Sequence, residues 1–379
     1  MDPILAFTQA SQDAIIDTIR QMVEVESPSD DREAVNRHVE QLCDMLSGEA
    51  KLTRKKGGSY GDHLLVEFNL PGKKKTGQVL AMGHTDTVYP LGILKTMPFR
   101  VADGRLWGPG VLDMKGGVAF FIHAMRALRA LEIPVASKVV LQLNSDEEVG
   151  SHSSRALTEA MALKSKCVLV LEPGTGLTGK LKTARKGVGG YEVVVHGKAA
   201  HAGVDFTNGA NAINELARQI TVIEGFTDLS KGLTVNPGVI RGGTRTNVVP
   251  AYAAVEVDLR VARLRDAAAL EKKFRGLKPF DKRCTLTVTG ELNRPPMERT
   301  REIGELFKKA RGLAAELGVV LEESSTGGGS DGNFSAALGV PTLDGLGTVG
   351  EGAHAVNESI LIDRIADRTA LLAKLVAAL

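Results

Sequence analysis

The sequence predicts an α/β protein of two domains, a mostly parallel-sheet domain interrupted by an inserted α+β (ferredoxin-like) domain. Three observations predict it. Between about residues 63 and 174, short apolar runs alternate with helical stretches, as in strand–helix–strand units around a largely parallel sheet. From there to about 291 the texture changes to strands with apolar–polar alternation and two helices, β-α-β-β-α-β in content. Beyond Arg294 the first texture returns. The expected division is therefore 1–178 and 292–379 for the sheet domain and 179–291 for the insertion.

Taken in order, Ile15, Ile16, Ile19, Met22 and Val23 recur at helical spacing, so an amphipathic helix lies near the amino terminus. Early acids and the lack of a basic stretch argue against a secretory signal there. A second helix fits 33–46. Strands follow in HLLVEFNL and QVLAMGH, a helix in GGVAFFIHAMRALRAL, and strands again in KVVLQLNSDEE and KCVLVLEPG. Ligands of such sheets sit beyond the carboxyl ends of the strands. Three of these strands run into His84-Thr85-Asp86, Asp146-Glu147-Glu148 and Glu172-Pro173-Gly174, which places ionisable clusters at one edge.

In the insertion Tyr191, Val193 and Val195 share a face, and Val255, Val257, Leu259 and Val261 alternate with Glu256, Asp258 and Arg260, the pattern of a half-exposed sheet. Helices fit 208–224 and 266–275, and a strand fits 284–289. Beyond it come a helix at 301–317, a strand at 319–322, a glycine loop at 327–329 and a final helix from Leu361.

Composition narrows the function. Of 379 residues 43% are hydrophobic and 24% charged, ordinary for a globular chain. A net charge of +2 is too balanced for a sequence-independent grip on nucleic acid or acidic lipid. No apolar run approaches the roughly 20 residues that cross a bilayer. Cys43, Cys167 and Cys284 are scattered and form no paired motif, which argues against a disulfide framework or a thiolate zinc site. A cytoplasmic protein with a small-molecule or short-peptide substrate, and neither nucleic acid nor membrane as partner, is the expectation.

Each ionisable cluster alone has a bland reading. Asp113 could cap the helix after it, Asp146-Glu147-Glu148 could be a solvated turn, and His354 is a loop histidine. Together they carry chemistry. His84, Asp113, Glu148, Glu172 and His354 offer two imidazoles and three carboxylates, a donor set for borderline divalent ions. Five ligands serve two ions if one carboxylate bridges, leaving open positions for water, as in a two-metal hydrolase. Asp86, two residues beyond His84 on an extended strand, points to the same side and can accept its other N–H. Glu147, beside the ligand Glu148, can shuttle a proton between an attacking water and a leaving nitrogen.

The segments HTDTVYPLGILKTMPF, WGPGVLDMKGG, NSDEEVGS, LEPG, GKAAHAG, TNVVP and GAHAVNE follow the order and spacing of a known family. The sequence resembles the zinc-dependent metallopeptidases that include aminoacylases, succinyl-diaminopimelate desuccinylases and carboxypeptidases, over nearly the whole chain. HTDTVYPLGIL, PFRV and GPGVLD most resemble the bacterial glutamate carboxypeptidase (carboxypeptidase G) branch.

That resemblance implies two Zn2+ per subunit, with Co2+ or Mn2+ as alternatives, one held by His84, Asp113 and Glu172 and the other by Asp113, Glu148 and His354. It implies Glu147 as general base and acid, and the insertion as a lid through which a homodimer pairs. His201 of GKAAHAG, otherwise a turn-stabilising histidine, would then reach the partner's site to steady the oxyanion, with Asn247 near it. Arg294 stands where the carboxypeptidase branch places a carboxylate-binding arginine, and Arg260 is a second candidate. Gly327-Gly328-Gly329-Ser330-Asp331 resembles the family's substrate loop, with Gly329 and Ser330 as substrate contacts. Lys180 is a weaker candidate. His38, His63, His123, His152 and His196 lie off the motifs and are expected to be structural or exposed.

The expected activity is hydrolysis of the amide bond to a C-terminal amino acid, glutamate first, in N-acyl-glutamate or folate-type substrates. An aminoacylase, N-acyl-amino-acid deacetylase or dipeptidase of the same family keeps every metal residue and changes the specificity pocket. An aminopeptidase would need an acid where Arg294 stands. A catalytically silent binding protein would have lost a ligand or Glu147, and none is lost.

Overall fold

The computed structural model describes residues 2–379, which divide into two compact units. The first holds the chain as far as Ala184 together with Arg299–Thr326 and Ser330–Leu379; the second holds Arg185–Glu298 and Gly327–Gly329.

The first unit is built on a six-stranded sheet in the order Ala50–Lys55, His63–Phe68, Lys138–Asn144, Gln78–His84, Cys167–Val170 and Thr342–Leu343. The last four run parallel, and the first two form an antiparallel margin. Strand Gln78–His84 is buried along its whole length. Val79 and Ala81 pack into one core and Leu80 and Met82 into another, because a parallel strand covered on both faces has no polar side. Its carboxyl end pairs His84 with Asn144, which fixes the level at which the flanking strands release their ionisable residues.

Helix Gly116–Ala130 lies on the first face and is packed by Ile365–Ala378. Its glycines are steric requirements. A Cβ at Gly117, or at Gly347 in a neighbouring loop, would overlap the carbonyl oxygen of Leu171, the residue before Glu172. The amino-terminal helix spans Gln12–Val23 and buries Ile15, Ile19, Met22 and Val23, each contributing roughly 1.5–3 kcal/mol. A separate helix, Pro3–Ala10, precedes it, with the Asp2 carboxylate accepting from the amide of Ile4 at 2.9 Å. The second helix is Arg32–Met45. Among the described residues no helix is long and apolar enough to cross a membrane.

The strand expected at 319–322 is displaced. The residues that pair, with Leu181–Arg185, are Glu323–Thr326. Val320 is exposed and only Leu321 is buried, so the apolar run ahead of the pairing is a connection. A small sheet of Gly350–Glu351, Ser359–Leu361, Arg105–Trp107 and Arg100–Ala102 carries no run long enough to announce it.

The second unit is an antiparallel sheet in the order Thr234–Gly242, Tyr252–Val261, Gly187–His196 and Thr285–Arg294. Helices Ala212–Glu224 and Leu264–Arg275 contribute Leu216, Ile223, Leu270 and Phe274 to a core with Tyr191, Val193, Val195 and Val255. Tyr191 stacks on Phe274 with ring centres 4.1 Å apart.

Candidate metal centre

The first unit gathers five side chains at the carboxyl end of its parallel strands. His84 ends its strand, Glu148 lies in a short turn after Lys138–Asn144, and Glu172 follows Cys167–Val170 by two residues. Asp113 precedes helix Gly116–Ala130, and His354 lies between two strands of the small sheet. The bland reading of Asp113 is excluded, since that helix has no side-chain cap. Its carboxylate instead faces both imidazoles, Oδ1 at 3.1 Å from His84 Nε2 and Oδ2 at 3.4 Å from His354 Nε2. Glu172 lies 3.8 Å from His84 Nε2, and Glu148 lies 3.3 Å from His354 Nε2.

Two overlapping sets result, His84–Asp113–Glu172 and Asp113–Glu148–His354, each with ligand atoms within 4.8 Å of one another. His354 holds a left-handed backbone (φ 62°), a conformation that costs a non-glycine residue roughly 1–3 kcal/mol and is retained where the surroundings demand it.

The electrostatics of this cluster suit cations. Burial alone would push the His84 imidazole down, but Asp113 and Asp86 outweigh it and raise its pKa well above the ordinary value. Hydrogen bonds to Asp113 and Glu148 lift His354 to about 10. Although burial opposes it, both imidazoles hold Asp113 far below the usual carboxylate range. Glu148 is raised, first by burial, then by the neighbouring Asp113 and Asp86 against the pull of His354. Carboxylates thus compete for too little positive charge. The donor set of imidazole nitrogen and carboxylate oxygen fits divalent ions of the zinc class, with Asp113 offering one oxygen to each set.

Asp86 is buried beside the His84 ring and makes further contacts. The shortest contact of His84 Nδ1 is with the backbone carbonyl of Asp86, at 2.9 Å, while its carboxylate lies at 3.5 Å. That carboxylate also accepts from Ser29 Oγ at 2.7 Å, from the amide of Glu148 at 3.2 Å and from that of Glu147 at 3.3 Å. Asp86 therefore fixes both the histidine ring and the acidic turn. The amide of Asp113 donates to Glu358, and Arg368, fully buried, donates to the carbonyls of Gly347, Gly179 and Gly345 beside the Glu172 segment. Glu358 closes the GAHAVNE segment and Arg368 lies outside every quoted segment; both act largely on backbone groups, a role that residue spacing does not display.

Ser330 is fully buried, and its hydroxyl donates to Asp344 at 2.7 Å, so it braces its own loop. Lys180 pairs with Glu322 at 2.8 Å. His38, His63 and His123 are buried and hydrogen-bonded, while His152 and His196 are exposed.

His201, Asn247, Arg260, Arg294 and Gly329 belong to the second unit. Ala200–His201 pairs with Val248–Val249, and the carbonyl of Asn247 accepts from the amide of Ala202 at 3.0 Å, so His201 and Asn247 are neighbours and both are exposed. Arg260 is engaged by Asp258 through two hydrogen bonds of 3.0 Å. Arg294, nearly buried, ends strand Thr285–Arg294, and Gly329 lies close enough that a Cβ there would meet the Arg294 side chain at 2.9 Å. Arg185, unmarked in the sequence, donates to the carbonyls of Gly329 at 2.9 Å and Gly328 at 3.2 Å and so holds that loop.

Comparison with known proteins agrees with this geometry. A family model described as peptidase family M20/M25/M40 matches residues 80–378. Carboxypeptidase G2 of Pseudomonas sp. (strain RS-16) is 31% identical over 374 residues, covering 96% of this chain and 89% of the relative. Among solved structures, aminopeptidase PepT from Bacillus cereus aligns with a TM-score of 0.78 at 22% identity, covering 97% of this chain and 98% of that one. The Bacillus subtilis YxeP protein, a dinuclear metal binding peptidase of the M20 family, aligns with a TM-score of 0.71 at 14% identity, covering 98% of both. At these identities the two structures speak for the fold.

Proposed function

The chain belongs to peptidase family M20/M25/M40, and from that premise we propose that it is a dinuclear zinc carboxypeptidase that releases a C-terminal amino acid, glutamate first, from N-acyl-glutamate or folate-type substrates. The observation that carries this reading is the pair of ligand sets sharing Asp113. The 31% identity to carboxypeptidase G2 supports the carboxypeptidase branch.

His84, Asp113 and Glu172 would hold one ion and Asp113, Glu148 and His354 the other, zinc in the first instance and Co2+ or Mn2+ as substitutes. Bound there, the ions supply Lewis acidity to the scissile carbonyl. Glu147 removes a proton from the attacking water and returns it to the leaving nitrogen. Asp86 keeps Glu147 in place through the amides of the acidic turn. His201 of a second subunit donates to the developing oxyanion, which makes the active form a homodimer paired through the insertion, with Asn247 beside it. Arg294 receives the terminal carboxylate of the substrate as a planar fork, next to Gly329, with Arg260 as the second candidate. The enzyme works in the cytoplasm.

The test is a panel of N-acyl and peptidyl substrates that differ only in the C-terminal residue, glutamate against aspartate, alanine and arginine, with a free-amine control. Preference for glutamate is expected. Equal rates across the panel would return the assignment to the aminoacylases and dipeptidases of the family, and dependence on the free amine would turn it to an aminopeptidase.

A further inference from the structure

Glu358 lies four residues beyond His354 and is completely buried. A carboxylate in that position is costly unless every lone pair is answered. Here four donors answer it. Oε1 accepts from the amides of Leu112 at 2.7 Å and Asp113 at 2.9 Å, and Oε2 accepts from the amide of Gly110 at 2.9 Å and from the Tyr89 hydroxyl at 2.6 Å. Three of the partners are backbone amides that can only donate, so the carboxyl group serves them as an acceptor at both oxygens. The Tyr89 hydroxyl also lies 3.0 Å from the carbonyl of Ala355, the residue after His354. One side chain therefore ties together the backbone that presents Asp113, the loop that presents His354, and the segment that leaves the His84 strand.

The amides of Gly110, Leu112 and Asp113 precede helix Gly116–Ala130 and have no ladder to join, and a buried amide without an acceptor is strongly disfavoured. Glu358 supplies the acceptors that let this stretch stay irregular while aiming the Asp113 carboxylate at two imidazoles. We propose that Glu358 is a positioning residue of the metal centre, acting through the Gly110–Asp113 backbone and, by way of Tyr89, on the His354 loop. It never touches an ion or the substrate. This rests on the dinuclear reading above and adds to it a residue outside the ligand set.

The experiment titrates Zn2+ alone into metal-free wild type, E358Q and Y89F against a chromogenic chelator, with circular dichroism of each metal-free protein. A glutamine can serve at most part of the donor set, and loss of an outer partner of a metal ligand typically weakens affinity roughly 10–100-fold. E358Q is expected to bind Zn2+ about 10–100-fold more weakly at wild-type secondary structure, with kcat lowered and KM nearly unchanged. Y89F, which leaves the three amides paired, is expected to show a smaller loss in the same direction. Wild-type Zn2+ affinity in both folded variants overturns the proposal. If E358Q does not fold, Y89F decides: weakened binding supports the role, and unchanged binding overturns it. Failure of the wild type to take up Zn2+ overturns the dinuclear reading itself, and the proposal with it, an outcome told apart by the wild-type curve.

Discussion

His84 and Asp113, twenty-nine residues apart, face each other at 3.1 Å from Nε2 to Oδ1. The second oxygen of the same carboxylate faces His354, from near the other end of the chain, at 3.4 Å. Glu172 stands with His84 and Glu148 with His354, so Asp113 is the one member that both sets share.

That sharing predicts an unequal loss of metal. Asp113→Ala should retain neither ion after dialysis, whereas Glu172→Ala or Glu148→Ala should retain one. Metal content per subunit measured by plasma emission decides, and one ion kept by Asp113→Ala would refute the bridging role.

Glu147 is predicted to move protons without holding metal. Glu147→Gln should keep wild-type metal content and lower kcat by roughly 10²–10⁴, the usual worth of a positioned proton shuttle. Normal turnover would remove Glu147 from the reaction.

A site completed across a dimer predicts rescue. Mixing inactive His201→Ala with inactive Glu147→Ala under conditions of subunit exchange should recover part of the activity, because a mixed dimer contains one intact composite site. No recovery despite demonstrated exchange would show that His201 serves its own subunit.

Ser330→Ala separates bracing from binding. Losing the hydroxyl leaves Asp344 and the amide of Gly332 each short of a partner, at a cost of about 1–3 kcal/mol. Denaturant unfolding should register that loss while KM stays at the wild-type value. A raised KM at unchanged stability would return Ser330 to the substrate.

Acid sensitivity is predicted away from the centre. Burial, helped by Lys115, lowers His38 to about 3, and burial, helped by Arg126, lowers His123 to about 4. Both folded values lie below the unfolded one near 6.5, so the unfolded chain binds more protons between them. Their contribution is complete above pH 6.5 and lost as pH falls toward 4, by up to about 1.4 kcal/mol per pH unit for each histidine. Urea midpoints across this range should fall more gently for His38→Gln than for the wild type; parallel curves would contradict the assignment.

Much of this architecture is legible in the sequence. Strand Gln78–His84 is apolar from Val79 until it ends on His84, and Cys167–Val170 is apolar until Glu172 follows, so type and position coincide at the strand ends. Periodicity likewise marks helix Gln12–Val23 and strand Tyr252–Val261. What stays hidden is work done on the backbone. Asp86 reads as a partner for a ring, and its carboxylate also accepts from Ser29 and from two amides that no pattern displays; Glu358 and Arg185 likewise serve main-chain groups. Ser330 sits in a glycine loop that reads as open, and its burial follows from Asp344, fourteen residues on. The Glu323–Thr326 strand is polar and is selected by its pairing partner, which hydrophobicity cannot announce.

The carbonyl of Leu171 is crowded by Gly117 on one side and Gly347 on the other, with no space for a methyl group at either. The floor under Glu172 is thus main chain pressed on main chain, and it offers a protein engineer nothing to vary. Attempts to redirect the enzyme toward new substrates by substitution will succeed, if at all, among the surrounding loops, while libraries that randomise those two glycines will return mostly unfolded clones.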